Sequence, residues 1–287
     1  MGRQLIRNFG SLVLKRNESL ILNNKFKLSY FQENNRDIKE LFLFSLESGV
    51  AFSDKKGFWN YDSNKSIVTT PEGIKFKLKG FDSLIFSETF IYDIHYSENL
   101  EGKTVIQAGG FIGDTALYYA SKGAKVYSFE PNPDSFMLAL ENIKLNPELS
   151  NKIIYRNYAI GTDEVIDFGV NEKVSGASSA FVLGKNKVAK VRSISIAKIL
   201  EEFNIDDPFL LDLDIKGKEF EVIDEMSLSR FEKVRIEYFP ELVGLKENGR
   251  DILIDKLMTL GFNDIRVFKH NYSRYDLHNQ GTIYALK

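Results

Sequence analysis

The stretch Thr104-Val-Ile-Gln-Ala-Gly-Gly-Phe-Ile-Gly-Asp114 restricts the fold more than any other part of the chain. It reads as a buried strand over Thr104–Ala108, a tight turn at Gly109-Gly110, and the first turn of a helix from about Gly113. Glycine has no Cβ and accepts positive φ, so such a turn brings backbone close to a small molecule. The helix start offers N–H groups without intrahelical partners. The next strand is Lys125–Phe129, and Glu130 follows it directly, where nucleotide-binding sheets place an acid for ribose hydroxyls. The two signals together predict a nucleoside-binding α/β core.

The glycine spacing narrows the ligand. Gly109, Gly110 and Gly113 give Gly-Gly-x-x-Gly, with Phe111 where a dinucleotide fingerprint has its second glycine. Asp114 follows at the helix start, where a carboxylate suits the positive helix end but repels a pyrophosphate. S-adenosylmethionine carries no phosphate, and its sulfonium and ammonium are cationic, so it fits this acidic bend better than NAD. The competing reading is a turn whose glycines serve packing alone.

Charge and composition set further bounds. The 287 residues suffice for one large domain, or one domain with an appendage. A net charge of −2 without a basic stripe argues against nucleic acid as a partner. The absence of cysteine excludes disulfides and cysteine–metal sites. No apolar run approaches the roughly 20 residues of a membrane span, and no signal peptide or myristoylation pattern is evident at the start. The expectation is a soluble cytoplasmic protein. No His/Asp/Glu spacing reads as a transition-metal site, while a carboxylate-bound Mg²⁺ stays open.

Residues 1–97 read as a strand-rich accessory region and 98–287 as the cofactor-binding domain. Phe26–Phe31 and Lys75–Lys79 alternate apolar and polar residues at strand period, Arg36–Ser48 reads as a short helix, and Trp59 as core. Ser87–Tyr96 gathers Glu88, Tyr92, Asp93, His95 and Tyr96 just ahead of the first core strand. This link either lies across the turn or packs its aromatics on the core. In the second region Asn132 caps a helix that begins at Pro133, and Ile153–Asn157 is the third strand. Val165–Val170 and Lys190–Ile194 read as strands of an inserted hairpin, or of a flap over the site, around the small-residue loop Ser175–Ser179, and Lys185, Lys187, Lys190 and Arg192 as a solvated face, with contact to a phosphate-bearing substrate as the lesser reading. Phe209–Leu213 is a fourth strand ending at Asp214, a residue that either meets ligand or caps the helix opened by Ile215–Glu219. Val234–Tyr238 carries Glu237 near its end, and the strands Asn263–Phe268 and Thr282–Leu286 close the chain.

Read together, Glu88–Tyr92, Gly109–Thr115, Phe129-Glu-Pro131, Asn157–Gly161, Leu213–Glu219 and Ile236–Tyr238 resemble the FkbM-type S-adenosylmethionine-dependent methyltransferases, which have the class I methyltransferase fold. The resemblance runs from about Glu88 to the C-terminus. It implies a doubly wound, mostly parallel, seven-stranded Rossmann-like sheet with an antiparallel edge strand. It also implies methyl transfer to a hydroxyl of a sugar, glycolipid or secondary metabolite, a small-molecule or glycan acceptor. Gly109, Phe111, Gly113 and Asp114 would hold the methionine end of S-adenosylmethionine, and Glu130 its ribose, with Asn132 close by. Tyr158 and Ala159 would border the adenine, and Asp214 would lie near the amino group or the transferred methyl. His95, Asp214 and Glu237 are the candidate proton acceptors, ahead of His270 and His278 in the late loop. Three positions depart from the family. It usually has Asp at Gln107, often Glu at Lys216, and a small residue at Lys218. Two lost carboxylates weaken complementarity to a cationic cofactor, and both lysines are best read as turned to solvent. The alternative is a non-catalytic methyltransferase-fold binding protein with a degenerate cofactor site.

Overall fold

Half-buried alternation in the N-terminal stretch gives short antiparallel strands. In the computed structural model, which describes residues 19–22, 26–29, 56–62, 64–170, 187–245, 249–269 and 280–287, β1 (Ser19–Leu22) pairs with β2 (Phe26–Ser29). Strands β3 (Asn60–Asp62), β4 (Ile67–Thr69) and β5 (Lys75–Lys77) form a separate antiparallel meander. The β3–β4 turn is an Asx turn, with Asp62 Oδ1 accepting from the amides of Asn64 and Lys65. Helix α1 (Ser83–Phe90) contributes Phe86 and Phe90 to an aromatic cluster with Phe76 and the buried Trp59, which is core as expected. The helix expected over 36–48 and the loop at 175–179 lie outside the described residues, as do His270 and His278.

The chain divides into two units, Met1–Tyr96 with Glu141–Pro147, and Ser97–Leu140 with Glu148–Lys287. Asparagines explain why 141–147 belongs to the first. Lys75 N–H donates to Asn146 Oδ1 and Asn146 Nδ2 donates back to Lys75 O, each at 2.8 Å, and Lys77 N–H donates to Asn142 Oδ1 at 2.9 Å. Strand β5 would otherwise end the meander with open backbone groups.

The second unit is built on strands whose apolar runs are too continuous for a sheet with one wet face. Every residue of one of them, Pro208–Leu213, is buried, the pattern of a parallel sheet covered on both sides. Its elements are β6 (Thr104–Ala108), α2 (Asp114–Ser121), β7 (Lys125–Phe129), α3 (Pro133–Lys144), α4 (Pro147–Ser150), β8 (Ile153–Arg156), β9 (Tyr158–Ile160), β10 (Val165–Val170), β11 (Lys187–Ile194), α5 (Ile196–Glu202), β12 (Pro208–Leu213), α6 (Glu219–Val222), β13 (Lys233–Tyr238), α7 (Gly249–Thr259), β14 (Asp264–Lys269) and β15 (Gly281–Leu286). Seven strands make one sheet in the order β14-β15-β13-β12-β6-β7-β8. All pairs are parallel except those of β15, which runs antiparallel to both neighbours one place in from the edge. The fold is the expected mostly parallel Rossmann-like sheet. Strands β9, β10 and β11 form the inserted small sheet.

The strand order fixes where a ligand belongs. From β6 the chain builds outward through β7 and β8, then returns to the other side of β6 for β12 and β13. The reversal lies between β6 and β12, and in open α/β sheets the crevice at the carboxyl ends of such a pair binds ligand. Gly109 follows β6 and Asp214 follows β12. Among the described residues no helix is long and apolar enough to cross a membrane, and no group of three or more His, Asp or Glu is placed to hold a metal.

Candidate functional site

The bend after β6 is fixed at each step. Gly109 and Gly110 both donate their amides to Phe129 O at 3.0 Å. Gly109 has φ +88°, and a Cβ there would run into the carbonyl oxygen of Asp214; one at Gly110 would strike the hydroxyl of Tyr155. Phe111 has φ +44°, a left-handed conformation that costs a non-glycine residue about 1–2 kcal/mol. Neighbouring groups hold it there. Its N–H donates to Glu130 Oε2 at 2.8 Å and its carbonyl accepts from the Tyr155 hydroxyl at 3.1 Å. Gln107 Nε2 donates to Gly109 O at 2.8 Å, and the Ser128 hydroxyl donates to Gln107 Oε1. Gln107 is thus a brace for the bend. Gly109→Ala is expected to cost at least about 2 kcal/mol, because strain at positive φ adds to a clash with backbone that cannot swing aside. Urea denaturation reads the loss of stability, and calorimetry a parallel loss of ligand binding.

Glu130 faces the bend. Its Oε2 takes Phe111 N–H and its Oε1 takes Asn132 N–H at 2.7 Å, so the carboxylate clamps the turn to the start of α3. Each oxygen keeps a second lone pair for a ligand hydroxyl. Burial pushes this carboxyl up to about 8; the two backbone bonds pull it down, and Asp214 and Asp114 push it up again. Asn132 caps α3 as expected, Oδ1 accepting from Asp134 N at 3.0 Å and Ser135 N at 3.4 Å. Asp114 is buried as the first residue of α2, behind Gly113 at φ +83°.

The far wall comes from β12. Asp214 N–H donates to Ala108 O at 3.0 Å, which seats Asp214 against Gly109. It does not cap the following helix. That helix, α6, starts at Glu219 with Lys218 at its N-cap position, and Ile215–Lys218 is a turn with Lys216 at φ +49° and Gly217 at φ +100°. Lys218 pairs with Glu221 at 2.6 Å, but Lys216 is not turned to solvent. Its Nζ lies 3.2 Å from Asp214 Oδ1 and 4.3 Å from the centre of the Phe239 ring. Two consecutive left-handed residues reverse the chain and bring the side chain back over the strand end. Buried Glu219 holds this turn, accepting from Gly217 N at 2.6 Å and Phe239 N at 2.8 Å. Burial pushes the Glu219 carboxyl up to about 7.

The structure therefore brings Gly109, Phe111, Gly113, Asp114, Glu130, Asn132 and Asp214 to one bend. Tyr158 stands on β9, stacked on Phe129 at 6.3 Å, with Arg192 4.6 Å over its ring. Ala159 packs its methyl into the small sheet's own core with Phe168, Val170 and Val191. Glu237 is buried and lies 3.5 Å from Arg235. His95 is buried in the first unit. Sequence reasoning missed Tyr155, Ser128, Glu219 and Phe239. The strand register carried a signal for two of them. Gln107, Ser128 and Tyr155 are cross-strand neighbours on β6, β7 and β8, and the row continues through Asp212 and Arg235 to Tyr284.

The donor set fits a cationic nucleoside. Asp214 and Asp114 raise the proton affinity of Glu130, a strain that a positive ligand relieves and a phosphate aggravates. A family model described as the methyltransferase FkbM domain matches residues 107–253, just over half of the chain. The chain belongs to the FkbM methyltransferase family. S-adenosylmethionine is the cofactor of this FkbM methyltransferase, and the FkbM match spans the bend, Glu130 and the Asp214–Glu219 turn. No curated protein matches it in sequence. Similar solved structures include a SAM-dependent O-methyltransferase of Thermotoga maritima, 17% identical, covering 78% of this chain and 77% of that one, with a TM-score of 0.40. A precorrin-6y C5,15-methyltransferase of Geobacter metallireducens is 12% identical, covering 66% and 84%, with a TM-score of 0.38. A precorrin 8w decarboxylase of Methanobacterium thermoautotrophicum is 12% identical, covering 68% and 87%, with a TM-score of 0.40.

Proposed function

We propose that this methyltransferase O-methylates a hydroxyl of a sugar, glycolipid or secondary metabolite, with the donor held at the Gly109–Asp114 bend. The observation that carries the cofactor placement is the clamp of Glu130 on Phe111 and Asn132, facing Asp214 across the β6–β12 crevice. The hydroxyl acceptor rests on the FkbM resemblance. Bound here, the cofactor supplies a methyl on a positively charged sulfur, the electrophile of an in-line displacement.

The chain's own residues do the rest. The braced turn presents Gly109, Phe111, Gly113 and Asp114 to the methionine end, and Glu130 takes the ribose hydroxyls on its remaining lone pairs. Tyr158 borders the base. Holding donor and acceptor in line is the large term in such a reaction, and a proton acceptor adds about 10²–10⁴-fold. We read Asp214, seated against Gly109, as a cofactor-side residue first, and His95, Glu237 and Asp214 itself are the groups to test for proton removal. We assign residues 1–97 as an accessory region and 98–287 as the catalytic domain.

The test is calorimetry of the full chain with S-adenosylmethionine and S-adenosylhomocysteine, followed by transfer of labelled methyl to sugar and lipid hydroxyls. Micromolar binding and label in an ether-linked methyl are expected. Binding of neither ligand removes the proposal. Tight binding with no transfer to any acceptor favours the non-catalytic relative.

A further inference from the structure

Lys216 is the residue the methyltransferase reading leaves unexplained. A lysine in the left-handed region is uncommon, and this one is held there. Gly217 extends the reversal, and Glu219 ties the turn to the Phe239 backbone through its two oxygens. The result is a built arrangement, a carboxylate and an aromatic face on either side of one positive charge. Asp214 Oδ1 lies 3.2 Å from Nζ, and the Phe239 centroid 4.3 Å. The side chains of Lys216 and Asp214 keep 26% and 31% of their exposure, so the pair is partly buried and still reachable from solvent. Asp214 also abuts Gly109, so the pair borders the bend.

An aromatic ring attracts a cation through its quadrupole but offers no hydrogen-bond acceptor. Here a lysine ammonium already lies against both a carboxylate and a ring. A sulfonium has no donors, is weakly hydrated and is matched by a ring face plus one negative charge. We infer that the Asp214 carboxylate and the Phe239 ring are the seat for the cofactor's sulfonium, and that Lys216 is a tethered cation that fills this seat until the cofactor does. The inference rests on the methyltransferase reading and adds to it a residue that sets donor affinity. The donor must displace Lys216, and its positive charge equips it to do so. The demethylated product is a neutral thioether, so it has no charge with which to keep Lys216 out. Lys216 thereby weakens donor binding and leaves product binding nearly unchanged.

The experiment compares the native full chain with Lys216→Met and Lys216→Arg, by calorimetry with S-adenosylmethionine and S-adenosylhomocysteine at equal pH and salt. Lys216→Met keeps length and removes charge. It is expected to tighten S-adenosylmethionine at least fivefold and to change S-adenosylhomocysteine less than twofold. Lys216→Arg keeps the charge and is expected to stay within about threefold of native for both. Equal tightening of both ligands by Lys216→Met would overturn the sulfonium assignment, since the two share their ammonium. Unchanged or weaker donor binding, with a thermal midpoint like the native one, would overturn the tethered-cation role. Lys216→Gln, read in the same way, replaces Lys216→Met if the latter is not folded. Native protein that binds neither ligand sinks the methyltransferase reading itself, an outcome distinct from the other two.

Discussion

Glu130→Gln weakens S-adenosylmethionine binding on the order of 100-fold. In the proposed ribose contact, two charge-assisted bonds to its hydroxyls become weaker neutral ones, at about 1.5–3 kcal/mol for each charged bond against about 1 for a neutral one, and tenfold in affinity is about 1.4 kcal/mol. The amide also turns a donor toward one of the two backbone N–H groups that the carboxylate accepts from Phe111 and Asn132. The native protein carries a pH signature that the variant lacks. With the free carboxyl near 8, Glu130 is mostly protonated at pH 6, and the ligand prefers the ionised form. Affinity therefore rises with pH from about 6 to 8, by up to about tenfold per unit, with proton release on binding. The unliganded fold shows the opposite slope. Its Glu130 carboxyl titrates above the unfolded value of 4.5, so between about 4.5 and 8 the folded state binds the extra proton and stability falls as pH rises. Calorimetry in buffers of different ionisation heat reads the first slope, and urea melts the second. A Glu130→Gln protein that binds as the native does, or a flat native profile, would discard the assigned role.

Asp212→Ala has the largest effect on stability, a loss of about 3–5 kcal/mol. Asp212 and Arg235 are 1% and 2% exposed, their ion pair is 2.7 Å long, and the Tyr119 hydroxyl donates to the other carboxylate oxygen at 2.8 Å. Removing the carboxylate leaves a guanidinium inside the sheet without its nearest counter-charge, with Glu237 farther off at 3.5 Å. The double change Asp212→Ala, Arg235→Met recovers part of the loss, because it removes the stranded guanidinium but takes the Arg235 charge away from buried Glu237. Urea denaturation of the two variants tests this. A single variant within 1 kcal/mol of native contradicts it.

The features legible in the sequence were those set by neighbours along the chain. Apolar runs marked β6, β7, β12 and β13 within a residue or two, because a strand covered on both faces needs them. Asn132 before Pro133 showed the α3 cap, and Glu130 was found because it follows a strand directly. What was hidden depends on strand register and chain reversal. Gln107 read as a lost carboxylate because its partners, Ser128 and the Gly109 carbonyl, meet it only once β6 and β7 align. Lys216 read as a solvent-facing residue of a helix start, because Asp-Ile-Lys-Gly scans equally well as a cap or as a left-handed reversal. Its neighbour Phe239 arrives from the next strand.

The interrupted first unit has a practical consequence for dissecting the protein. Because Asn142 and Asn146 complete the backbone bonding of strand β5, a cut near residue 97 does not separate two self-sufficient pieces. A fragment beginning there carries both amides without their strand, and the released N-terminal piece ends its meander with bare donors. Limited proteolysis at that junction should therefore leave two fragments that co-migrate under native conditions and part only in denaturant.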